Sequence, residues 1–598
     1  MDIITEESNS NKSITFELIK GAMQSARQEM EALIDRTAMS PLIREKKDYY
    51  TAYFDRTGRL VASASLPLAS NLIDCIVERY PVETMRAGDI YIYNDAYGSK
   101  GAVSHMPDMA FICPVFAGNQ LFAFAEVWGH MLDIGGIHPG SISPDATNIF
   151  QEGIAIPPIR LITAGTVNEE VMSILLRNTR YPNIIKGDLK ALMACAQLGT
   201  RRMEEIAARF GVTSVESAFE FILQQSASAL RKAIKTEIPD GCYSFRDWID
   251  SDAVTDQSYS VAVSLEKQGE HVSLDFSDSA DQAVGAINFI MDETVPKYMI
   301  GVYLTRNDPA IKMNAGFSEA IGEVVRRSGS IVNPQQPAPI GMRSHTMIRV
   351  NSALFGALAQ ATNGRSPAAS SVYVLYYLRS MYEHRNEADL CVEGLAVGFG
   401  ARPDSDGLDS VYYIAQKNYP VEFAEMEFGM RIEGYGLHRD SGGPGRWRGG
   451  CGVFRDIRIT SDTAMLGVRM DNVKYPAWGV AGGMSGGVGC VVVNPGTPEE
   501  RQLRPLSDGN LLKKGDLLRI VTGGGGGWGS PFDRPAEQVY QDVLDGFVSV
   551  ESALRDYAVI LSNDIASVDE TATKALRASK SRPSGMFHRN HYFNGEFQ

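Results

Sequence analysis

Helix-like and strand-like patterns occupy separate blocks of this chain, and this segregation most restricts its fold. Apolar residues recur at helical spacing over residues 14–38, 189–210 and 215–234. Other segments alternate apolar and polar residues between turn signals, as β-strands do. A doubly wound parallel sheet would need helices and strands that alternate one by one. We therefore predict an α+β fold of mixed and antiparallel sheets, with a central helical block and a glycine-rich β C-terminal part.

The same patterns predict five regions along the chain. They are an N-terminal α+β region (1–165), a helical segment (166–238), an α+β middle region (239–390), a glycine-rich β region (391–562) and a C-terminal tail (563–598). Further helices are expected over residues 293–306, 351–384 and 535–557. The tail has few large aliphatic side chains, and we expect it to be mobile or to bind a partner.

Charge balance and cysteine use exclude several classes of protein. The 598 residues contain 57 Lys and Arg against 72 Asp and Glu, a net charge of −15, whereas nucleic-acid-binding proteins concentrate basic residues. No segment reaches the ~18 uninterrupted apolar residues of a membrane helix, and the N-terminus lacks a secretory signal pattern. The seven cysteines are scattered and form no CxxC pair. We expect a cytoplasmic protein that binds neither nucleic acid nor membranes.

Three of the nine histidines, His105, His130 and His138, fall within one short segment. Between the first two lie the apolar runs 109–116 and 121–128, separated by a turn that contains glycine and asparagine. This pattern predicts a β-hairpin in which residues whose numbers sum to about 237 face each other. The hairpin would bring both ends of the segment together.

The predicted hairpin places candidate metal ligands at one end of a two-stranded ribbon. Position 130 would face position 107, so His130 would lie between His105 and Asp108. Two neutral imidazoles and one carboxylate on a strand end are typical of a catalytic metal site with open positions. Asp133 is an alternative oxygen donor. In the alternative interpretation, the histidines are ordinary polar residues at strand ends and Asp108 caps the turn.

Two glycine-rich strings, GGPGRWRGG at 442–450 and GGGGGWG at 523–529, lie in the C-terminal half of the sequence. Neither contains the Lys-Ser/Thr pair that completes a phosphate-binding loop. Tight turns in which backbones approach closely are therefore the favoured interpretation. Arg446 and Arg448 could instead grip an anionic group.

Motifs along nearly the whole chain resemble those of the hydantoinase B family. That family includes the corresponding region of 5-oxoprolinase and the metal-bearing subunits of acetone- and acetophenone-type carboxylases. The most specific strings are DIGG-x-x-PGS from residue 133 and DSGG-x-G-x-x-RGG from residue 440. Other matching strings are SPLIREKKDYYTAYFDRTGRLVA (40–62), GDIYIYNDAYGSKGAVSHMPDMAFICPVF (88–116) and GGGGGWGSPFDRPAEQVYQDVLDGFVSVESA (523–553). The resemblance covers about residues 15–560.

The resemblance implies that the chain is one subunit of an ATP-dependent enzyme. In the family, a separate hydantoinase A-like subunit binds ATP and phosphorylates a carbonyl oxygen of a small molecule, and the B-type subunit holds a divalent metal ion. His105, Asp108 and His130 match the family's metal ligands, and Asp48 matches a further carboxylate. Zinc, manganese or iron is the expected metal. The expected assembly is a hetero-oligomer, and no residue is assigned a catalytic role.

The expected reaction is hydrolysis of a cyclic amide, as in hydantoinases and oxoprolinases. Carboxylation of a ketone is the alternative, and a metal-free structural subunit is a second alternative. The segment NDAYGSKGAVSHMPD has a longer and less glycine-dense loop before His105 than the family pattern has, and SLPLASNLID (65–74) replaces the usual His-Leu-Gly segment. These two departures leave both reactions open.

Overall fold

The computed structural model describes residues 2–64, 71–412, 416–562 and 564–589; for residues 2–11, 386 and 387 it describes the backbone alone. Helices and antiparallel sheets make up this part of the chain, which confirms the predicted α+β class. It forms two compact units: Met1–Asp240 with Glu266–Leu274 and Asn288–Arg343, and Gly241–Leu265 with Asp275–Ile287 and Ser344–Gln598. Among the described residues, no helix combines the length and apolar character that a membrane crossing requires.

The helices and strands of the described residues are grouped in blocks. In chain order, the helices are α1 (Asp2–Thr37), α2 (Pro41–Arg44), α3 (Asp74–Arg79), α4 (Glu169–Arg177), α5 (Pro182–Phe210), α6 (Val212–Glu237), α7 (Thr294–Leu304), α8 (Ala315–Ala320), α9 (Arg343–Ala361), α10 (Val421–Glu427), α11 (Ala536–Leu544), α12 (Val550–Asp556) and α13 (Glu570–Ser579). The strands are β1 (Tyr49–Asp55), β2 (Leu60–Ser63), β3 (Ile90–Tyr93), β4 (Asp108–Ala117), β5 (Gln120–His130), β6 (Ile159–Thr163), β7 (Thr166–Val167), β8 (Gly241–Ile249), β9 (Tyr259–Gln268), β10 (His271–Asp275), β11 (Val324–Val325), β12 (Val374–Tyr382), β13 (Arg385–Leu395), β14 (Met430–Leu437), β15 (Val453–Ile459), β16 (Thr463–Arg469), β17 (Gly479–Val480), β18 (Cys490–Val493), β19 (Arg501–Gln502), β20 (Leu506–Lys513), β21 (Leu517–Val521) and β22 (Phe587–His588).

A seven-stranded sheet in the order β2-β1-β5-β4-β3-β6-β7 is the centre of the first unit. Helix α5 packs on one face of this sheet, because its buried residues recur every three or four positions and form an apolar stripe. Contact is close at two glycines. A Cβ at Gly129 would lie 3.0 Å from Leu192, and one at Gly199 would lie 2.7 Å from the Met30 sulfur of α1. Helices α1 and α5 therefore cover the face of the sheet opposite His130.

The second unit contains two further sheets, β13-β12-β16-β20 and β14-β15-β21-β18-β19. Both contribute to one apolar core, in which Leu378, Ile457, Leu466 and Ile520 are fully buried. Alternating inward-facing aliphatic residues on strands of both sheets produce this core, as the period-2 pattern of the sequence predicts.

The prediction of one helix over residues 351–384 is wrong in its second half. Helix α9 ends at Ala361, and Gly364 follows in the left-handed region at φ 83°, a conformation that ends helices. Residues 374–382 form strand β12, paired with β13 and β16. The run VYVLYYL from residue 372 is rich in aromatic and β-branched side chains, which pack well on a pleated sheet.

The C-terminal tail is structured over part of its length. Residues 570–579 form α13, and β22 pairs with β17 of the second unit. Residues 590–598 lie outside the described residues. A mobile or partner-binding end of the chain therefore stays a prediction.

The two glycine-rich strings lie in close backbone contact within the second unit. The N–H of Gly525 donates to the carbonyl of Gly450 at 2.9 Å. A Cβ at Gly525 would lie 2.2 Å from the carbonyl carbon of Phe399, and one at Gly524 would lie 1.8 Å from the carbonyl oxygen of Ser441. Only glycine permits this packing, which confirms the interpretation as close backbone approach.

The arginines of the first glycine-rich string have partners of their own. Buried Arg448 pairs with Asp409, with Nη1 2.9 Å from Oδ1. The guanidinium of Arg446 lies 6.0 Å from the ring centre of Trp447. These contacts favour a structural role over anion binding.

We expect Gly525→Ala to destabilise the chain by about 3 kcal/mol, because backbone atoms that oppose a new methyl group cannot move aside cheaply. Urea unfolding measures the change. Gly585→Ala is the matched control, since its Cβ would meet the Phe587 carbonyl oxygen at an ordinary 3.4 Å. Equal unfolding midpoints for the two variants would contradict the packing argument.

Glu126, in the middle of β5, is a fully buried carboxyl group. Neither of its oxygens has a hydrogen-bond partner among the described residues. Burial raises the pKa of this carboxyl well above its ordinary 4.5. The folded protein therefore keeps a proton that the unfolded chain releases above pH 4.5, so stability falls as the pH rises from 5 to 8.

Glu126→Gln removes the titration and should raise the free energy of unfolding more at pH 8 than at pH 5. Urea unfolding at both pH values measures the difference. Exposed Glu205, which pairs with Arg202, supplies the control Glu205→Gln, in which the pH dependence of the wild type should persist. An equal effect of Glu126→Gln at both pH values would show that Glu126 is ionised in the folded state.

Candidate metal centre

Three adjacent strands bring candidate ligands to one edge of the sheet in the first unit. Asp108 begins β4 and His130 ends β5, and the two residues are directly opposite in the hairpin. Asp48 immediately precedes β1, and its carbonyl accepts a hydrogen bond from the His130 N–H at 3.0 Å. Because antiparallel neighbours begin and end at the same edge, these side chains meet there.

The predicted hairpin is confirmed, with a shift of one residue in register. The spacing placed position 107 opposite position 130. An irregularity between Val115 and Phe116 moves the pairing, so that Asp108 faces His130 instead. The shift brings the carboxylate closer to the imidazole than the sequence predicted.

His105 reaches the same edge from the loop between β3 and β4. Buried Asn94 holds this loop, because its side-chain amide donates to the carbonyl oxygens of Met106 at 2.7 Å and Ile154 at 2.9 Å. The Asn94 side-chain oxygen accepts from the N–H of Ile156 at 2.6 Å. The first bond holds the backbone next to His105, and the other two anchor Asn94 to the segment 154–156.

The donor atoms of the cluster converge on one carboxylate oxygen. Nε2 of His105 and Nδ1 of His130 each lie 3.0 Å from Oδ1 of Asp108. One ligand atom from each of the three residues lies within 4.8 Å of the others. Oδ2 of Asp48 lies 3.8 Å from Nδ1 of His130. The structure therefore brings together all four residues that the sequence indicated, with Asp48 at the edge.

The cluster has the donors that a divalent metal needs. The His105 side chain is 1% exposed; its Nδ1 has no hydrogen-bond partner among the described residues, and its Nε2 faces the Asp108 carboxylate. A buried imidazole with so few partners is costly, and a cation between the imidazole and the carboxylate would satisfy both. Two imidazole nitrogens with a carboxylate oxygen match the ligand sets of zinc, manganese and iron sites.

The surroundings of His105 and Asp108 favour the protonation states that metal binding requires. Burial, followed by the charge of Arg343, lowers the pKa of His105 to about 3. Burial alone would raise the pKa of Asp108, but its contacts with His105 and His130 hold that pKa well below its usual range. Burial raises the pKa of Asp48. A neutral imidazole and an ionised carboxylate therefore face each other at neutral pH.

Sequence reasoning missed Arg343 and Ser104, which support Asp108 from the side. Nε of Arg343 donates to Oγ of Ser104 at 2.9 Å across 239 positions of the chain. Nη2 of Arg343 lies 3.6 Å from Oδ2 of Asp108. No periodicity or motif links positions so far apart. The one local signal is an arginine directly after the small and apolar run APIGM (338–342).

The structure assigns other roles to His138 and Asp133. His138 is partly exposed, with Nε2 2.9 Å from Asp145 Oδ1. Asp133 is fully buried, accepts a hydrogen bond from the N–H of Gly140 at 3.1 Å and pairs with Arg180 at 2.8 Å. Neither residue belongs to the cluster, and no other group of this kind occurs in the described part of the chain.

Comparisons with known proteins agree over nearly the whole chain. Residues 12–531 match the family described as Hydantoinase B/oxoprolinase. The chain is 31% identical over 590 residues to the B-type subunit of a putative D-/L-hydantoinase from Pseudomonas sp. (strain NS671), with 94% of this chain and 98% of that protein covered. The crystal structure of ATP-dependent caprolactamase from Pseudomonas jessenii matches with a TM-score of 0.83 at 25% identity, over 95% of this chain and 99% of that one.

A structure of nucleotide-free acetone carboxylase shares the fold, with a TM-score of 0.82 at 18% identity over 96% of this chain and 83% of that one. The family match, the hydantoinase relative and the two structures all extend over both units of the chain. We conclude that the chain belongs to the hydantoinase B/oxoprolinase family.

Proposed function

We propose that this chain is the metal-binding B-type subunit of an ATP-dependent enzyme that hydrolyses a cyclic amide after activation of its carbonyl group. The convergence of His105 and His130 on Asp108 carries the proposal. The relatives support it, since one is named as part of a hydantoinase and another as an ATP-dependent caprolactamase, both names that refer to cyclic amides.

ATP belongs to a different chain in this proposal. Neither glycine-rich string completes a phosphate-binding loop, and the second is packed against other backbone segments. A hydantoinase A-like partner would bind ATP and phosphorylate the carbonyl oxygen of the substrate, within a hetero-oligomer. We place this complex in the cytoplasm, which the absence of disulfides among the seven cysteines supports.

The residues of this chain hold and orient the metal ion. His105, Asp108 and His130 would bind zinc, manganese or iron, with Asp48 as a further ligand. When bound, such an ion supplies Lewis-acid polarisation of a carbonyl oxygen. Asn94 holds the His105 loop through its bond to Met106 and is itself anchored by its bonds to Ile154 and Ile156. Burial keeps water from competing for the ligands.

Carboxylation of a ketone is the second candidate reaction. The loop before His105 and the segment 65–74 both depart from the usual hydantoinase pattern, and the fold is shared with acetone carboxylase. Assays of the complex with hydantoin, lactams, or acetone plus bicarbonate separate the two reactions. A metal-free structural subunit is the third candidate, and metal analysis tests it.

We expect the purified chain to bind one divalent metal ion at this cluster. His105→Ala and His130→Ala each remove one donor atom and should lower metal affinity at least about 100-fold. Elemental analysis after dialysis, and calorimetric titration with zinc and manganese, measure the loss. His138→Ala is the matched control, because this partly exposed histidine lies outside the cluster. Wild-type affinity in both ligand variants would exclude the site, and a metal-free wild type would favour a structural subunit.

We expect His130→Ala to separate ATP use from product formation in the reconstituted complex. Product formation should fall about 100-fold or more, since the electrophilic assistance is lost. Part of the ATP hydrolysis should persist, because the nucleotide lies on the partner. Phosphate release and ring opening are measured in the same reaction, with His138→Ala and the isolated chain as controls.

Two results would contradict this division of labour. If both rates stay at the wild-type level, His130 is structural. If both rates vanish while the complex stays assembled, the metal is needed before phosphorylation.

A further inference from the structure

Arg343 lies beside the metal cluster with hydrogen-bond donors to spare. Its Nε donates to Ser104, whereas its Nη2 lies 3.6 Å from Asp108, beyond hydrogen-bond distance. Neither Nη1 nor Nη2 has an acceptor among the described residues. The Arg343 side chain is 9% exposed. The guanidinium therefore keeps terminal N–H groups with which a ligand that carries acceptor atoms can bond.

The terminal nitrogens of Arg343 remain accessible to a small ligand. Both ring nitrogens of His105 are sealed from solvent, but Nη1 and Nη2 of Arg343 are not among such enclosed atoms. The guanidinium thus faces accessible space at the side of Asp108. A ligand at this position would contact Arg343 next to a metal held by Asp108.

The charges around the cluster favour an anion once a metal is bound. Asp48 and Asp108 supply two negative charges when ionised, and Lys46 and Arg343 supply two positive charges close to Asp48. A divalent cation at the cluster would add positive charge to a buried region in which Lys46 and Arg343 already face the carboxylates, and Coulomb attraction to an anion is strong there.

We propose that Arg343 binds the phosphoryl oxyanion of the ATP-activated substrate through its free terminal N–H groups, beside the metal. This inference rests on the proposed function, in which a partner phosphorylates the carbonyl oxygen. Two terminal nitrogens of one guanidinium match two oxygens of a phosphoryl group, and the delocalised charge suits a buried site. Arg343 is thus a substrate-binding residue as well as a support for Asp108.

A purely structural role for Arg343 makes a different prediction. If Arg343 only holds Ser104 and Asp108 in place, its replacement changes metal affinity but not the binding of an anion at equal metal occupancy. Inorganic phosphate is a suitable probe, because it presents the same oxygens without needing the substrate. Acetate is the companion probe for a planar carboxylate.

The test uses the full chain loaded with metal and titrated calorimetrically with inorganic phosphate. Arg343→Met should weaken phosphate binding about tenfold or more, the usual range for losing charge-assisted hydrogen bonds. Arg343→Lys, which keeps the charge without the planar fork, should be intermediate. Arg160→Met is the matched control, since the Arg160 guanidinium already bonds the Tyr91 hydroxyl at 3.0 Å and the Thr84 carbonyl at 3.2 Å. All variants are compared at equal metal content.

Each outcome decides the inference. Wild-type phosphate affinity in Arg343→Met would overturn it, as would an equal loss in Arg160→Met. Binding of acetate but not phosphate, dependent on Arg343, would show that the site recognises a carboxylate and would also overturn it. A wild-type chain that holds no metal at all is a separate result, since it contradicts the proposed function before any phosphate is added.

Discussion

The antiparallel pairing of β1, β5 and β4 is the constraint on which the site depends. Backbone hydrogen bonds fix these strands, so Asp48 and Asp108 at strand starts meet His130 at a strand end. A slip of one residue in β5 would turn His130 to the opposite face, where helices α1 and α5 already pack. Close contacts at Gly129 and Gly199 hold those helices against the sheet and so protect the register.

Asp108 is the centre of the electrostatic arrangement. Two imidazoles approach one of its oxygens at 3.0 Å, and Arg343 lies 3.6 Å from the other. A buried carboxylate needs such partners to remain ionised. The ligands lie on or next to strands, whereas the group proposed to bind the substrate comes from a distant part of the chain. The proposed metal ligands thus lie on or beside rigid strands, and the residue proposed to bind the activated substrate lies next to them in space but far away in the sequence.

Local patterns predicted much of the fold and most of the site. The hairpin of β4 and β5 follows from two apolar runs around a short turn, and the close packing of the glycine-rich strings follows from their composition. The helix prediction failed over residues 374–382, because a run of aromatic residues suits a strand and a buried helix equally well when judged by hydrophobicity alone. The register shift at Val115 has no signal in the sequence, because β4 and β5 are apolar and buried on both faces there and show no alternation that an extra residue could interrupt.

The sequence by itself determined the α+β class, the strand ends and the proximity of His105, Asp108 and His130, because short-range periodicity and turn chemistry encode these features. Asp48 became a candidate through family resemblance, and pairing of β1 with β5 explains its position. Only the tertiary structure decided that Asn94 holds the His105 loop and that Arg343 reaches Asp108. Such contacts join residues far apart in the chain, where packing of whole elements, rather than any local preference, determines which side chains meet.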